Sequence, residues 1–245
     1  MAQERRQQYL DAIGIDLWVP RAARAQPAEA VSASLAPSPS PAAAAAPEPD
    51  AAAWEALRTQ VLQCTKCPLH LTRTQGVFGV GPKRADWLVI GEAPGAEEDR
   101  RGEPFVGAAG QLLDAMLRAI GLDRATNVYI ANMLKSRPPG NRDPKPEEVA
   151  ACLPYLQRQI ELLRPKIMLA VGRIAAQSLL GTQAPLGRLR GEVHRFGDTP
   201  LVVTYHPAYL LRTPAEKRKA WEDLKFARSV YQQLTQGSVT DGNRA

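Results

Sequence analysis

Cysteine is scarce in this chain: three in 245 residues, at Cys64, Cys67 and Cys152. An odd, small number excludes a disulfide framework of the secreted kind. Long apolar runs are missing too. None reaches the roughly 18 residues that a membrane-spanning helix needs. The first residues, MAQERRQQYL, carry two arginines with no apolar stretch behind them, unlike a signal peptide. A cytoplasmic protein is expected. Histidine is rare as well, with only His70, His194 and His206, so imidazole chemistry has few places to be.

What is abundant is unevenly placed. Net charge is +6. Residues 1–50 hold four Arg against six Asp or Glu, so the excess of positive charge lies beyond residue 50, as in a domain that meets phosphates. Residues 20–50 are mostly Ala, Pro and Ser, which cannot build a core and read as a flexible linker. Ahead of it, residues 1–19 form a short amphipathic segment in which Tyr9, Leu10, Ile13, Ile15 and Trp18 give an apolar surface. So short a piece cannot bury that surface alone, and a partner-binding peptide on a tether is expected. The domain is expected over residues 51–236, with a disordered tail at 237–245.

Within that domain, apolar runs at 87–91, 128–132, 167–172 and 201–204 alternate with helical patterns at 108–120, 146–163, 173–180 and 215–234. The alternation predicts a three-layer α/β/α fold around a mainly parallel four-stranded sheet. In such sheets the residues just past the carboxyl ends of the strands share one crevice. Here those residues are Gly91-Glu92-Ala93-Pro94-Gly95, Asn132 and His206-Pro207. A carboxylate, an amide, an imidazole and the nearby ring of Phe105 suit a pocket that holds a planar base and expels it as an anion. Taken one at a time the signals are weak. Glycine-rich loops are widespread, an Asn at a strand end is often a turn residue, and Glu98 and Asp99 suit a helix N-terminus.

The longer strings are more specific. GEAPGAEEDRRGEPFVGAAGQLLDAML at 91–117, VYIAN at 128–132 and VTYHPAYLLR at 203–212 resemble the signatures of family 4 uracil-DNA glycosylases. The resemblance spans residues 57–235. It implies hydrolysis of the N-glycosidic bond of uracil in DNA, without lyase chemistry. Glu92, Glu98 and His206 are implied as catalytic, with one glutamate handling water and His206 bonding uracil O2. Gly91, Ala93, Phe105 and Asn132 are implied to bind uracil, Phe105 by stacking and Asn132 by pairing with N3–H and O4. Leu210 and Leu211 would form a wedge, and Arg137, Asn141, Arg142 and Arg212 would meet DNA.

Members of that family hold a [4Fe–4S] cluster on four cysteines. Cys64, Cys67 and Cys152 match three ligand positions, but the fourth is a serine, in Lys135-Ser136-Arg137-Pro138-Pro139. Serine is a harder donor of higher pKa than cysteine. Three outcomes follow from it: a fragile four-iron cluster completed by Ser136 or water, a three-iron cluster, or a site empty or zinc-loaded and held by packing. Residues 5–21, RRQQYLDAIGIDLWVPR, resemble the N-terminal peptide of the psi subunit of the DNA polymerase III clamp loader, which implies the chi subunit as partner. Two functions are therefore expected to compete: a tethered repair enzyme, and a glycosylase-like clamp-loader subunit with little activity.

Overall fold

The computed structural model describes residues 50–240. The partner-binding positions Tyr9, Leu10, Ile13, Ile15 and Trp18, and the linker up to residue 49, lie outside the described residues.

The sheet runs β1 (Trp87–Gly91), β2 (Val128–Asn132), β3 (Ile167–Val171), β4 (His194–Phe196) and β5 (Thr199–Thr204), in spatial order β2-β1-β3-β5-β4. Four strands are parallel, as expected. The fifth, β4, is an addition to the four-stranded expectation. It pairs antiparallel with β5 through a tight turn at Gly197-Asp198, with Gly197 at a positive φ of 56°. Its three residues are at most half-buried, so no apolar run announces it. At the opposite edge, a bridge between Val80 and Ile130 covers β2.

The parallel strands are buried along their length, which is why they read as continuous apolar runs. Alternate residues face opposite sides. Leu88, Ile90, Met168 and Val203 pack with Trp54 of α1 (Ala51–Leu62) and Leu156 of α4 (Pro146–Leu163). Ala175 of α5 (Arg173–Leu180) joins the same layer. On the other face Trp87, Val89 and Leu169 meet Leu113 and Leu117 of α3 (Ala108–Ala119) and Leu224 of α8 (Lys217–Thr240). The short helices α2 (Ala96–Arg101), α6 (Leu186–Leu189) and α7 (Pro207–Arg212) complete the set. The last long helix starts at Lys217, after a 3-10 turn at Pro214–Glu216, and extends past the expected Leu234 to Thr240.

The order of the strands positions the site. From β1 the chain moves to β2 on one side and later to β3 on the other, so the connections after β1 and β3 diverge. That divergence opens a crevice at the carboxyl ends.

Candidate active site

The crevice is a cleft of about 410 Å³ lined by Glu92, Glu98, Phe105, Asn132, His206 and Arg212, among others. Four of these were expected to share a pocket from their places after three different strands.

Gly91 ends β1 and has to be glycine. A Cβ there would sit 2.4 Å from Asn132 Oδ1 and 2.6 Å from Phe105 Cζ. The floor of the cleft is thus backbone, with the amide and the ring drawn up against it. Asn132, at the end of β2, is 2% exposed. Its Oδ1 is buried without a hydrogen-bond partner among the described residues. Leaving a buried acceptor unpaired costs about 1–3 kcal/mol, so this oxygen is held ready for a donor from outside.

Phe105 is 6% exposed and carries a φ of +56°, in the left-handed region that non-glycine residues rarely adopt. Three features hold it there. Arg124 donates from Nη2 to the Phe105 carbonyl at 3.0 Å and from Nη1 to that of Pro104 at 3.3 Å, and is itself paired with Asp114. Gly110 lets α3 close under the loop, since a Cβ there would lie 1.8 Å from the Phe105 carbonyl oxygen. Glu98 supplies the third. Its Oε1 accepts from the backbone N–H groups of Val106 (2.9 Å) and Gly107 (3.1 Å), and Oε2 accepts from that of Gly95 (3.1 Å). Both oxygens of Glu98 are therefore engaged in joining the Gly91–Gly95 loop to the Phe105 loop. The neighbouring Asp99, 3% exposed, accepts from the N–H groups of Thr74 and Gln75. Arg124 and Asp114 carried no signal in the sequence, because they act together on a loop distant in the chain; Asp99 read only as an acid suited to a helix N-terminus, and its hold on Thr74 and Gln75 was not visible.

Glu92 stands differently. Its pKa is raised to about 7, first by burial and then by the charge of Asp143, with Arg173 opposing both. A carboxyl poised near neutrality is suited to proton transfer.

His206 caps the N-terminus of α7. Its Nδ1 accepts the Ala208 N–H at 3.1 Å, so the neutral ring carries its proton on Nε2. Its pKa is lowered to about 4, first by burial and then by the charge of Arg212, with Glu98 opposing both. Above that pH the ring is a neutral hydrogen-bond donor. It lies against Phe105 with ring centroids 5.6 Å apart and 30° between planes. Gly172, past the end of β3, allows this: a Cβ on it would meet His206 Cβ at 3.0 Å.

The expected DNA-facing residues are placed less evenly. Leu211 is 44% exposed, whereas Leu210 is buried at 1%. Successive residues of a helix point about 100° apart, so only one leucine of the pair faces outward. Arg212 is exposed at the rim. Arg137 donates to Asn141 Oδ1 at 2.7 Å. Arg142 differs from a free phosphate contact: its guanidinium is paired with the buried carboxylate of Glu148. Its charge is thereby matched from within the fold. His70 and His194 each bond a backbone carbonyl, of Cys67 and Leu189.

The cysteine corner lies beside this cleft. Cys152 on α4 is buried with Leu69 and Leu134, and Cys67 packs against that cluster. Ser136, 4% exposed, accepts a hydrogen bond from Arg73 Nη1 at 2.8 Å. Among the described residues no three His, Cys, Asp or Glu side chains are arranged to hold a metal ion. With a guanidinium on the hydroxyl at the fourth position, these residues do not fit a cluster held at four corners.

Comparison with known proteins agrees with the geometry. Residues 78–225 match the model of the "Uracil DNA glycosylase superfamily". A type-4 uracil-DNA glycosylase of Archaeoglobus fulgidus is 47% identical over 174 residues, covering 68% of this chain and 87% of the relative. Those of Pyrobaculum aerophilum and Thermotoga maritima are 44% and 42% identical, with 69% and 71% of this chain and 90% and 93% of theirs covered. By fold, by site and by these relatives, the chain belongs to the uracil-DNA glycosylase superfamily, within its type-4 group.

Proposed function

We propose that this chain excises uracil from DNA by hydrolysing the bond between N1 of the base and C1′ of the sugar, the opening step of base excision repair. The observation that carries the reading is the orphaned Asn132 Oδ1 beside the Phe105 ring. A uracil stacked on that ring presents N3–H to the amide oxygen, while O4 accepts from the amide nitrogen. Cytosine has no proton at N3 and a donor at position 4, so it would leave buried groups unpaired and be rejected. Gly91 and Ala93 supply the close backbone wall.

The C1′–N1 bond breaks with its electron pair going to the base. Negative charge develops on uracil O2, where His206 Nε2–H donates, and the sugar becomes oxocarbenium-like. Stabilising charge where it develops is commonly the largest catalytic contribution. A water then adds to C1′ and gives a proton to Glu92, the carboxylate whose surroundings set it near neutrality. Glu98 acts by positioning, through the three N–H groups it holds. Leu211 enters the duplex in place of the extruded base, and Arg212 and Arg137 meet phosphates flanking it. No step passes through a metal cluster.

Uracil release from a single-uracil oligonucleotide tests the reading, with an Asn132→Ala, His206→Ala double variant as control. Release that persists in the double variant refutes it. The competing reading, an inactive clamp-loader subunit, finds no support: the relatives are named as glycosylases and the pocket is intact. Residues 5–21 are still proposed to tether the enzyme to the chi subunit, on their psi-like sequence. A pull-down in which Trp18→Ala binds chi as well as the parent does would sink that proposal.

A further inference from the structure

The corner that meets the exit of β2 is tied by one arginine. Arg73 Nη1 donates to Ser136 Oγ at 2.8 Å and to the Val61 carbonyl at 3.4 Å. Its Nη2 donates to the carbonyls of Leu62 at 2.8 Å and Cys64 at 3.0 Å. The carbonyls at the end of α1 have no partners within the helix, and a cation at a helix C-terminus also complements the dipole. Arg73 therefore closes α1 and grips the β2 exit with one planar group. Gly76 makes room, since a Cβ there would lie 2.9 Å from the Val61 carbonyl oxygen. The same short segment bonds onward: Thr74 N–H to Asp99, and Val77 N–H to the Lys135 carbonyl at 2.8 Å. Four pieces of chain (α1, residues 73–77, the β2 exit and α2) are thus joined by hydrogen bonds. Cys152 and Cys67 pack beside them with Leu69 and Leu134, as small apolar side chains do.

We infer that the Arg73–Ser136 tie takes the place of an iron–sulfur cluster in this chain, so that the corner folds and supports the active site without metal. For Ser136 to ligate iron, a hydroxyl of far higher intrinsic pKa than a thiol would have to ionise, and one of its lone pairs is already taken by Arg73 Nη1. Oxygen is also the poorer donor where thiolates hold clusters. The inference is independent of the roles proposed in the uracil pocket, because its readouts are metal content and stability.

The test uses the full chain, expressed with iron and purified without oxygen. Iron, sulfide and zinc are counted, absorbance is read at about 400 nm, and Tm is measured with and without a chelator. The parent is expected to hold well under one metal atom per chain, to show no band, and to keep its Tm in chelator. Ser136→Cys is expected to gain iron and the band. Arg73→Lys, which keeps the charge and loses the fork, is expected to lower the Tm of the parent by several degrees. A parent with about four iron atoms per chain, or about one zinc, or a Tm that falls in chelator, overturns the inference. So does an Arg73→Lys variant with unchanged Tm. Should Arg73→Lys not fold, the parent's metal content and chelator response decide.

Discussion

Exchanging each of the two pocket glutamates for glutamine separates a base from a brace. Glu92→Gln removes the group assigned to the water. General-base catalysis contributes about 10²–10⁴-fold, so single-turnover excision should slow by about that much with Tm almost unchanged. Relieving a buried carboxyl whose pKa is about 7 does not weaken the fold. Glu98→Gln keeps one carbonyl oxygen, enough for Val106 and Gly107, but turns an amide NH₂ toward the Gly95 N–H. A lost hydrogen bond to a charged group is worth about 1.5–3 kcal/mol. For a domain of this size that lowers Tm by roughly 3–12 °C, with a modest loss of rate as the Phe105 loop loosens. The pH profile provides the second readout. Glu92 must be ionised to take a proton, and its pKa is raised, so parent activity falls as pH drops through about 7. His206 stays neutral until about 4 and adds no inflection in that range. In Glu92→Gln the profile should be flat near neutrality; in Glu98→Gln the inflection should remain. Gel-resolved cleavage of abasic products at single turnover, from pH 5 to 9, with thermal melts alongside, measures all of this. A Glu98→Gln enzyme with parental Tm, a large rate loss and a flat profile would refute the assignment.

Other perturbations read other parts of the site. Gly91→Ala pushes a methyl into Asn132 Oδ1 and the Phe105 ring, and uracil binding by fluorescence or competition should be lost while circular dichroism stays parental. Asn132→Ala leaves N3–H and O4 of the bound base unpaired at about 1–3 kcal/mol each, so excision should slow roughly 30-fold or more. Arg124→Gln releases the carbonyls of Pro104 and Phe105, and should reduce activity together with Tm, because Phe105 then leaves its positive φ.

The parallel sheet was legible because its strands are buried on both faces and read as unbroken apolar runs; β1 and β2 have the bounds the sequence suggests. Strand β4 was not, since His194-Arg195-Phe196 sits half-exposed at an edge and owes its form to pairing across the Gly197 turn. The site's contents were legible through position after a strand, together with the longer family strings. The division of labour proposed for Glu92 and Glu98 was not, since it rests on which carboxylate meets backbone N–H groups from loops up to nine residues away. Nor could residue order alone say that Leu210 turns inward and Leu211 outward, or that Arg142 is matched by Glu148. Membrane insertion was not expected, and no described helix is long and apolar enough to cross a bilayer.

The Ala208 N–H on His206 Nδ1 has a consequence for substrate range. A ring with its proton fixed on Nε2 and a pKa of about 4 offers a hydrogen bond without surrendering the proton. In the role proposed for His206, the base departs as an anion and collects its hydrogen from water after release. How fast it goes is governed by how readily N1 bears the charge. Electron-withdrawing substituents on the ring should therefore quicken excision, with 5-fluorouracil leaving ahead of uracil. The steepness of that trend across a series of substituted bases would measure how little proton transfer the enzyme lends to the leaving group.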